Sequence, residues 1–192
     1  MEITEAIRSV RSKQAQQPSA ECSQTLTVRA DTFREHILQV YTPSLQETLC
    51  TDSQECFFGN HPTLATLNKT YGSRAGAIWL VPQITDCVSF TNNKGTLNDR
   101  QTESLASLIA SEYYYLKVSE LMLFFRRFKL GKYKEIYGNF SPMVITLSIR
   151  EFIIERNNAY FKHKSKIEEE KRSKDKNSSM SYQEYLKAKN RK

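Results

Sequence analysis

Residues 124–137 read FFRRFKLGKYKEIY and interleave five cations, Arg126, Arg127, Lys129, Lys132 and Lys134, with the rings of Phe128, Tyr133 and Tyr137. Cations hold phosphates with salt-dependent affinity, and an exposed tyrosine ring stacks on an unpaired base, so this pattern points to nucleic-acid binding. Gly131 lets the chain turn so that several of these side chains line one surface. The competing expectation is structural: the phenylalanine spacing belongs to a core, and the cations solvate the outer face of a helix. Lys171, Arg172, Lys174 and Lys176, in the C-terminal tail, extend the candidate surface.

Other chemistry is less well supplied. Cys50, Cys56 and His61 are soft ligand types, but five and four residues intervene between them and no fourth ligand is evident, unlike a structural zinc site. They read as free thiols beside Phe57 and Phe58, and neither a metal nor a cofactor is expected. Glu151 and Glu155, four apart, share a helix face and superficially resemble an acid–base pair. With Arg150 and Arg156 beside them they read as solvated charge. The chain contains no G-x-x-x-x-G-K-[ST], G-x-G-x-x-G, G-x-S-x-G, H-E-x-x-H or C-x-x-C pattern. His36, His61 and His163 are scattered, so no enzyme is expected.

The elements that must position these residues read as helices. Phe33, Ile37, Val40 and Tyr41 follow helical spacing, and Thr42-Pro43-Ser44 stops that helix. Gly59 to Pro62 marks a loop, Pro62 suits the first turn of a helix through Leu64, Leu67 and Tyr71, and Gly72 ends it. Ala77 to Val81, broken by Pro82, reads either as a short strand or as a kinked or split helix, the latter preferred because no sheet is available to a lone strand. Asn92 to Gly95 is a turn between two halves. Thr96 or Asn98 caps the next helix, which carries Leu105, Leu108, Ile109 and Leu116. Val118-Ser119 resembles a hydrophobic residue before a capping serine, ahead of Leu121, Phe124, Phe125 and Phe128. Lys132 to Tyr137 forms a turn closed by Gly138. Ser141-Pro142 opens a helix with Ile145, Ile149, Phe152 and Ile153 on one face, widened by Val144, Leu147 and Ile154. Tyr113-Tyr114-Tyr115 cannot all face one way, so at least one is exposed.

The expected fold is therefore all-α: a mobile N-terminal arm (1–24), a compact multi-helix domain (25–161), and a basic C-terminal tail (162–192) that is an extended helix or disordered. The 21 aromatic residues among 192 supply enough apolar surface for one core. The net charge of +7 is unevenly spread: −3 over residues 1–116, +4 over 117–140, zero over 141–161 and +6 over 162–192. Such asymmetry points to a polyanionic partner. No apolar run approaches a membrane span and the first 25 residues lack a secretory pattern, so a cytoplasmic protein with reduced thiols and no membrane partner is expected.

Residues Leu97 to Asn157 also resemble a family of small, mostly uncharacterised helical proteins encoded by phages and mobile elements of gut bacteria. The resemblance rests on Gln101, Leu105-Ala106, Ile109, Tyr113, Leu116-Lys117, Glu120-Leu121, Phe124-Phe125, Phe128-Lys129, Gly131-Lys132-Tyr133, Tyr137-Gly138, Ile145 and Glu155-Arg156. Lys134 departs from it, standing where glycine is commoner. The resemblance implies a replication accessory protein in the manner of a helicase loader and brings no catalytic residue. The expected function is thus a non-enzymatic nucleic-acid-binding or replication accessory protein, with nucleic acid and replication or phage proteins as partners. The alternative is a protein–protein adaptor or a virion-associated structural component.

Overall fold

The structure, a computed structural model, describes residues 33–91, 97–133, 140–178 and 186. The arm at 1–24, the turn at 92–95, Lys134, Tyr137, Gly138, Tyr182 and Tyr185 lie outside the described residues.

The fold is all-α, with no strand among the described residues. A π-helical turn over Arg34–Leu38 and a 3-10 turn over Pro43–Leu45 lead into α1 (Gln46–Leu49) and α2 (Ser53–Phe58). There follow α3 (Leu64–Tyr71), α4 (Ala75–Thr91), α5 (Asp99–Glu112), α6 (Val118–Lys129) and α7 (Pro142–Ser178). Phe33 and Ile37 of the first turn are buried, whereas Val40 points outward.

Helices α4 and α6 form the centre because their sequences are apolar on more than one side. Trp79, Leu80, Ile84 and Cys87 of α4 and Leu121 to Phe125 of α6 have no measurable exposure. Around them pack α5 and α3 on the α4 side, and α1 and α2 on the α6 side. The stretch from Ala77 to Val81 is helical, and α4 runs through Pro82 as one element. Pro82 and Ile78 are both exposed, so the carbonyl that loses its amide partner faces water rather than the core.

Buried side-chain N–H groups tie the early turns to this centre. Trp79 Nε1 and Gln83 Nε2 both donate to the Tyr41 carbonyl, at 3.0 and 2.8 Å, and Gln46 Nε2 donates to Gln83 Oε1 at 2.7 Å. The start of α3 meets the α5–α6 connection through backbone bonds: Leu64 N to Leu116 O at 3.0 Å, and Val118 N to Pro62 O at 2.9 Å. Thr63, not Pro62, is the residue before α3, and its hydroxyl accepts from Thr66 N; Gly72 ends the helix at φ +116°.

Asn98 caps α5 in a reciprocal pair with Gln101. Helix α6 starts two residues earlier than the Val118-Ser119 pattern suggests, with Lys117 rather than Ser119 in the capping position. Glu120 Oε2 reaches back to the Lys117 amide at 2.9 Å, which fixes Lys117 as the flanking residue. Ser119 then lies inside the first turn, where its hydroxyl donates to the Cys56 carbonyl. The α6 helix stops where Gly131 takes φ +70°.

Ser141 and Pro142 do open α7, which continues past residue 161 to Ser178. Ile145, Ile149 and Phe152 are buried on it, while Leu147 and Ile154 face away from the core instead of widening the stripe. No helix among the described residues is long and apolar enough to cross a membrane.

Candidate nucleic-acid interface

The structure divides the predicted cationic stripe. Arg127 Nη1 binds Glu155 Oε2 at 2.9 Å, its Nη2 donates to Ser53 Oγ at 3.2 Å, and its guanidinium lies 5.8 Å from the centre of the Phe57 ring. Lys132 Nζ reaches the same Glu155 oxygen at 2.7 Å. Lys129 turns the other way, to Asp86 of α4 at 2.8 Å and over the Phe90 ring. Arg126 is half-buried beside them and has no ion pair among the described residues.

The aromatic members are likewise packed rather than free. Phe128 is buried, and Tyr133 is half-buried with its ring 5.6 Å from that of Phe124. Burial, opposed by Arg127, pushes the Tyr133 phenol above its ordinary range. Lys134 and Tyr137 lie outside the described residues. Lys171, Arg172 and Lys174 are exposed on α7; Lys176 lies on that helix with its side chain outside the description.

What the fold brings together is the end of the stripe and the root of the tail. A cleft of about 850 Å³ lies between α2, the chain just after α6, and α7. Arg127 and Lys132 line it from one side, and Lys162, His163 and Lys166 from α7, with Glu155 between the two groups. Phe57 and Ala159 give it an apolar floor. Residues 155, 159, 162, 163 and 166 fall on one helical face, which is why α7 can present them all to the same space. Lys162 and Lys166 were counted in the tail's charge but not singled out; their i, i+4 spacing continuing from Glu155 is the signal that could have found them.

Glu155 is thus an ion-pair partner of two cations rather than solvated charge, while Glu151 is exposed. His61 Nδ1 lies 3.1 Å from the Tyr41 hydroxyl, and its Nε2 faces Glu55 at 3.4 Å. Cys50 and Cys56 are buried. The Cys50 thiol is raised by its hydrogen bond with Cys56 and by burial, and the Cys56 thiol is lowered by the same hydrogen bond.

A second charged cluster, unforeseen in the sequence, sits behind the cleft. Glu120 has no exposed surface, and its Oε1 accepts from Arg156 Nε at 2.7 Å. Tyr160 has one proton for two acceptors, the Phe57 carbonyl at 2.5 Å and Glu120 Oε1 at 3.0 Å. Lys117 Nζ donates to the carbonyls of Phe57 and Gly59 at 2.7 and 2.9 Å. The Arg156 guanidinium also lies 4.5 Å from the Tyr160 ring centre and 5.6 Å from that of Tyr115. These contacts clamp α7 to α6 and to the end of α2. Of the three tyrosines 113–115, Tyr114 and Tyr115 are exposed and Tyr113 is half-buried.

Fold and site together define an all-helical protein whose long last helix closes one side of a cationic cleft. The chain belongs to the family of unknown function DUF6633, which matches residues 97–192. That span begins beside the Asn98 cap and includes α5, α6, α7 and every cation of the cleft, while Ser53, Phe57 and the rest of α1 to α4 lie before it. No curated protein and no solved structure matches the chain.

Proposed function

We propose that the protein is a non-enzymatic nucleic-acid-binding accessory factor of the cytoplasm, of the kind that serves replication in phages and mobile elements, and that it grips the phosphate backbone in the α2–α6–α7 cleft. One observation carries this reading: Arg127, Lys132, Lys162 and Lys166 border one space in which Glu155 is the sole carboxylate among the described lining residues. Four cations against one carboxylate leave an excess that an anion can neutralise, and phosphate contacts of this sort release counterions. The exposed Lys171, Arg172 and Lys174 continue the positive potential along α7. The resemblance of residues 97–157 to small, mostly uncharacterised helical proteins of phages and mobile elements, which implies a replication accessory role, supports the assignment to replication.

The test is fluorescence anisotropy of a labelled oligonucleotide across a salt series. The double variant Lys162→Ala/Lys166→Ala is expected to weaken binding about tenfold or more at low salt and to reduce the salt slope by about two, one per lost phosphate contact. Absent binding at low salt, or a slope that the variant leaves unchanged, would sink the reading.

The protein–protein adaptor is the second reading. It is favoured by exposed Tyr114 and Tyr115 and by an apolar groove of about 390 Å³ bordered by Leu38, Ala77, Ile78, Val81 and Pro82. Partners that survive nuclease treatment in a pull-down would support it over DNA binding.

A further inference from the structure

His163 lines the cleft, and behind it, outside the cleft lining, lies Phe58. The two ring centres are 3.9 Å apart with the planes only 16° from parallel. Phe58 is itself braced: Tyr160 meets it edge-on at 5.0 Å, and Phe57 lies 6.2 Å away. Tyr160 in turn is anchored by the Phe57 carbonyl and Glu120. The imidazole is therefore a braced flat ring with one face spent on Phe58, in a residue that lines the cleft next to Lys162 and one turn from Lys166.

Cations alone suffice to hold a phosphate backbone. An ordered ring among them has nothing to bind on a duplex, whose bases are already stacked on one another, but it offers an unpaired base a π-face. The scale of the cleft agrees, since about 850 Å³ is the size that takes small organic molecules, as nucleotides entering singly are and a double helix is not. The apolar floor of Phe57 and Ala159 also suits a base better than a phosphate.

We propose that the cleft takes single-stranded nucleic acid, with an unpaired base stacked on His163 and the flanking phosphates held by Lys132, Lys162 and Lys166. The proposal rests on the polyanion reading of the cleft given above and narrows it to one strand.

It is tested by comparing a labelled oligothymidine of about 15 nucleotides, a length that spans a typical single-strand site, with a duplex of equal length at the same salt. The full chain is expected to bind the single strand about tenfold more tightly than the duplex, and His163→Ala to weaken only the single-strand complex by about tenfold. His163→Phe keeps the stack on Phe58 without a titratable group and is expected to hold the single strand within about twofold of wild type. Thermal melts establish that both variants are folded. Equal affinity for the two ligands, or an unaltered His163→Ala complex alongside a weakened Lys162→Ala/Lys166→Ala one, would overturn the single-strand proposal and leave phosphate binding intact. Absence of binding to either ligand would overturn both.

Discussion

Between Pro142 and Tyr160, helix α7 lays Glu155 and Arg156 against the body of the protein while Arg150 and Glu151 face water, and from Phe161 to Lys174 its Lys, Arg and Glu side chains are all exposed. In the first part, Arg156 meets a carboxylate that has no exposed surface, and Glu155 takes up two cations. In the second, Lys162, Lys166, Lys171 and Arg172 make no ion pair with any described residue, and Phe161 is 72% exposed. Residue type is the same in both parts, so what separates them is desolvation. A charge taken out of water must be matched locally or the fold loses several kcal/mol, whereas a charge left in water costs the fold little and stays available to a partner. The clamp behind the cleft is thus structural, and the cleft with the projecting half of α7 is where binding capacity resides.

The severest way to break this comparison is Glu120→Ala. It strips the half-buried guanidinium of Arg156 of its fully buried carboxylate and frees the amide that opens α6, and the expected loss is about 3 kcal/mol in urea denaturation. A loss below about 1 kcal/mol, the level of a surface pair, would mean that the clamp is not desolvated as described.

Tyr160→Phe probes the same cluster more gently, with an expected cost of about 1 to 2 kcal/mol at neutral pH. Burial, and after it Glu120, pushes the Tyr160 phenol up to about 12, above the ordinary value of about 10. An acid whose pKa is raised on folding keeps its proton longer in the folded state. Its contribution is whole below about pH 10 and is lost as the pH climbs through about 10 to about 12. The stability gap between wild type and Tyr160→Phe is therefore expected to stay constant to about pH 9 and to close above it. A gap that widens with pH would show instead that the phenolate pairs with Arg156.

The sequence made these two kinds of charge look alike, and the reasons are local to particular residues. The core face of α6 was legible because Leu121, Phe124, Phe125 and Phe128 repeat at helical spacing, and the starts of α5 and α7 were legible because Asn98, Ser141 and Pro142 are strong local signals. Ser119 was misread as a cap since a serine after a valine fits that pattern; what decided the matter was Glu120 reaching back to Lys117, and the Cys56 carbonyl, 63 residues away, taking the serine hydroxyl. Basic content in the stripe and the tail was visible, but their meeting was not. Glu155 stands 28 and 23 residues from Arg127 and Lys132, and only the return of α7 across the end of α6 and along α2 joins them. Likewise Phe58 and His163 are remote in sequence, and nothing in either neighbourhood foretells a stack.

The smallest effect is the most discriminating. Glu155 belongs to both regimes: it pairs with Arg127 and Lys132 and so orders them at the cleft wall, and it is the one carboxylate that an incoming phosphate must tolerate among the described lining residues. Glu155→Gln keeps an acceptor for both cations and removes the charge, so stability is expected to fall by no more than about 1 kcal/mol. Affinity for a labelled oligonucleotide is expected to rise about three- to tenfold at low salt, because repulsion between a carboxylate and a phosphate a few ångströms apart disappears, and the gain is expected to shrink as salt screens it. Arg127 would remain directed by Ser53 and by the Phe57 ring, so the cleft keeps its shape while its potential becomes more positive. A loss of affinity in Glu155→Gln, with the fold intact by thermal melting, would reverse the assignment: Glu155 would then serve binding by holding the two cations in place, and the boundary between structural and available charge would lie before Glu155 rather than at Phe161.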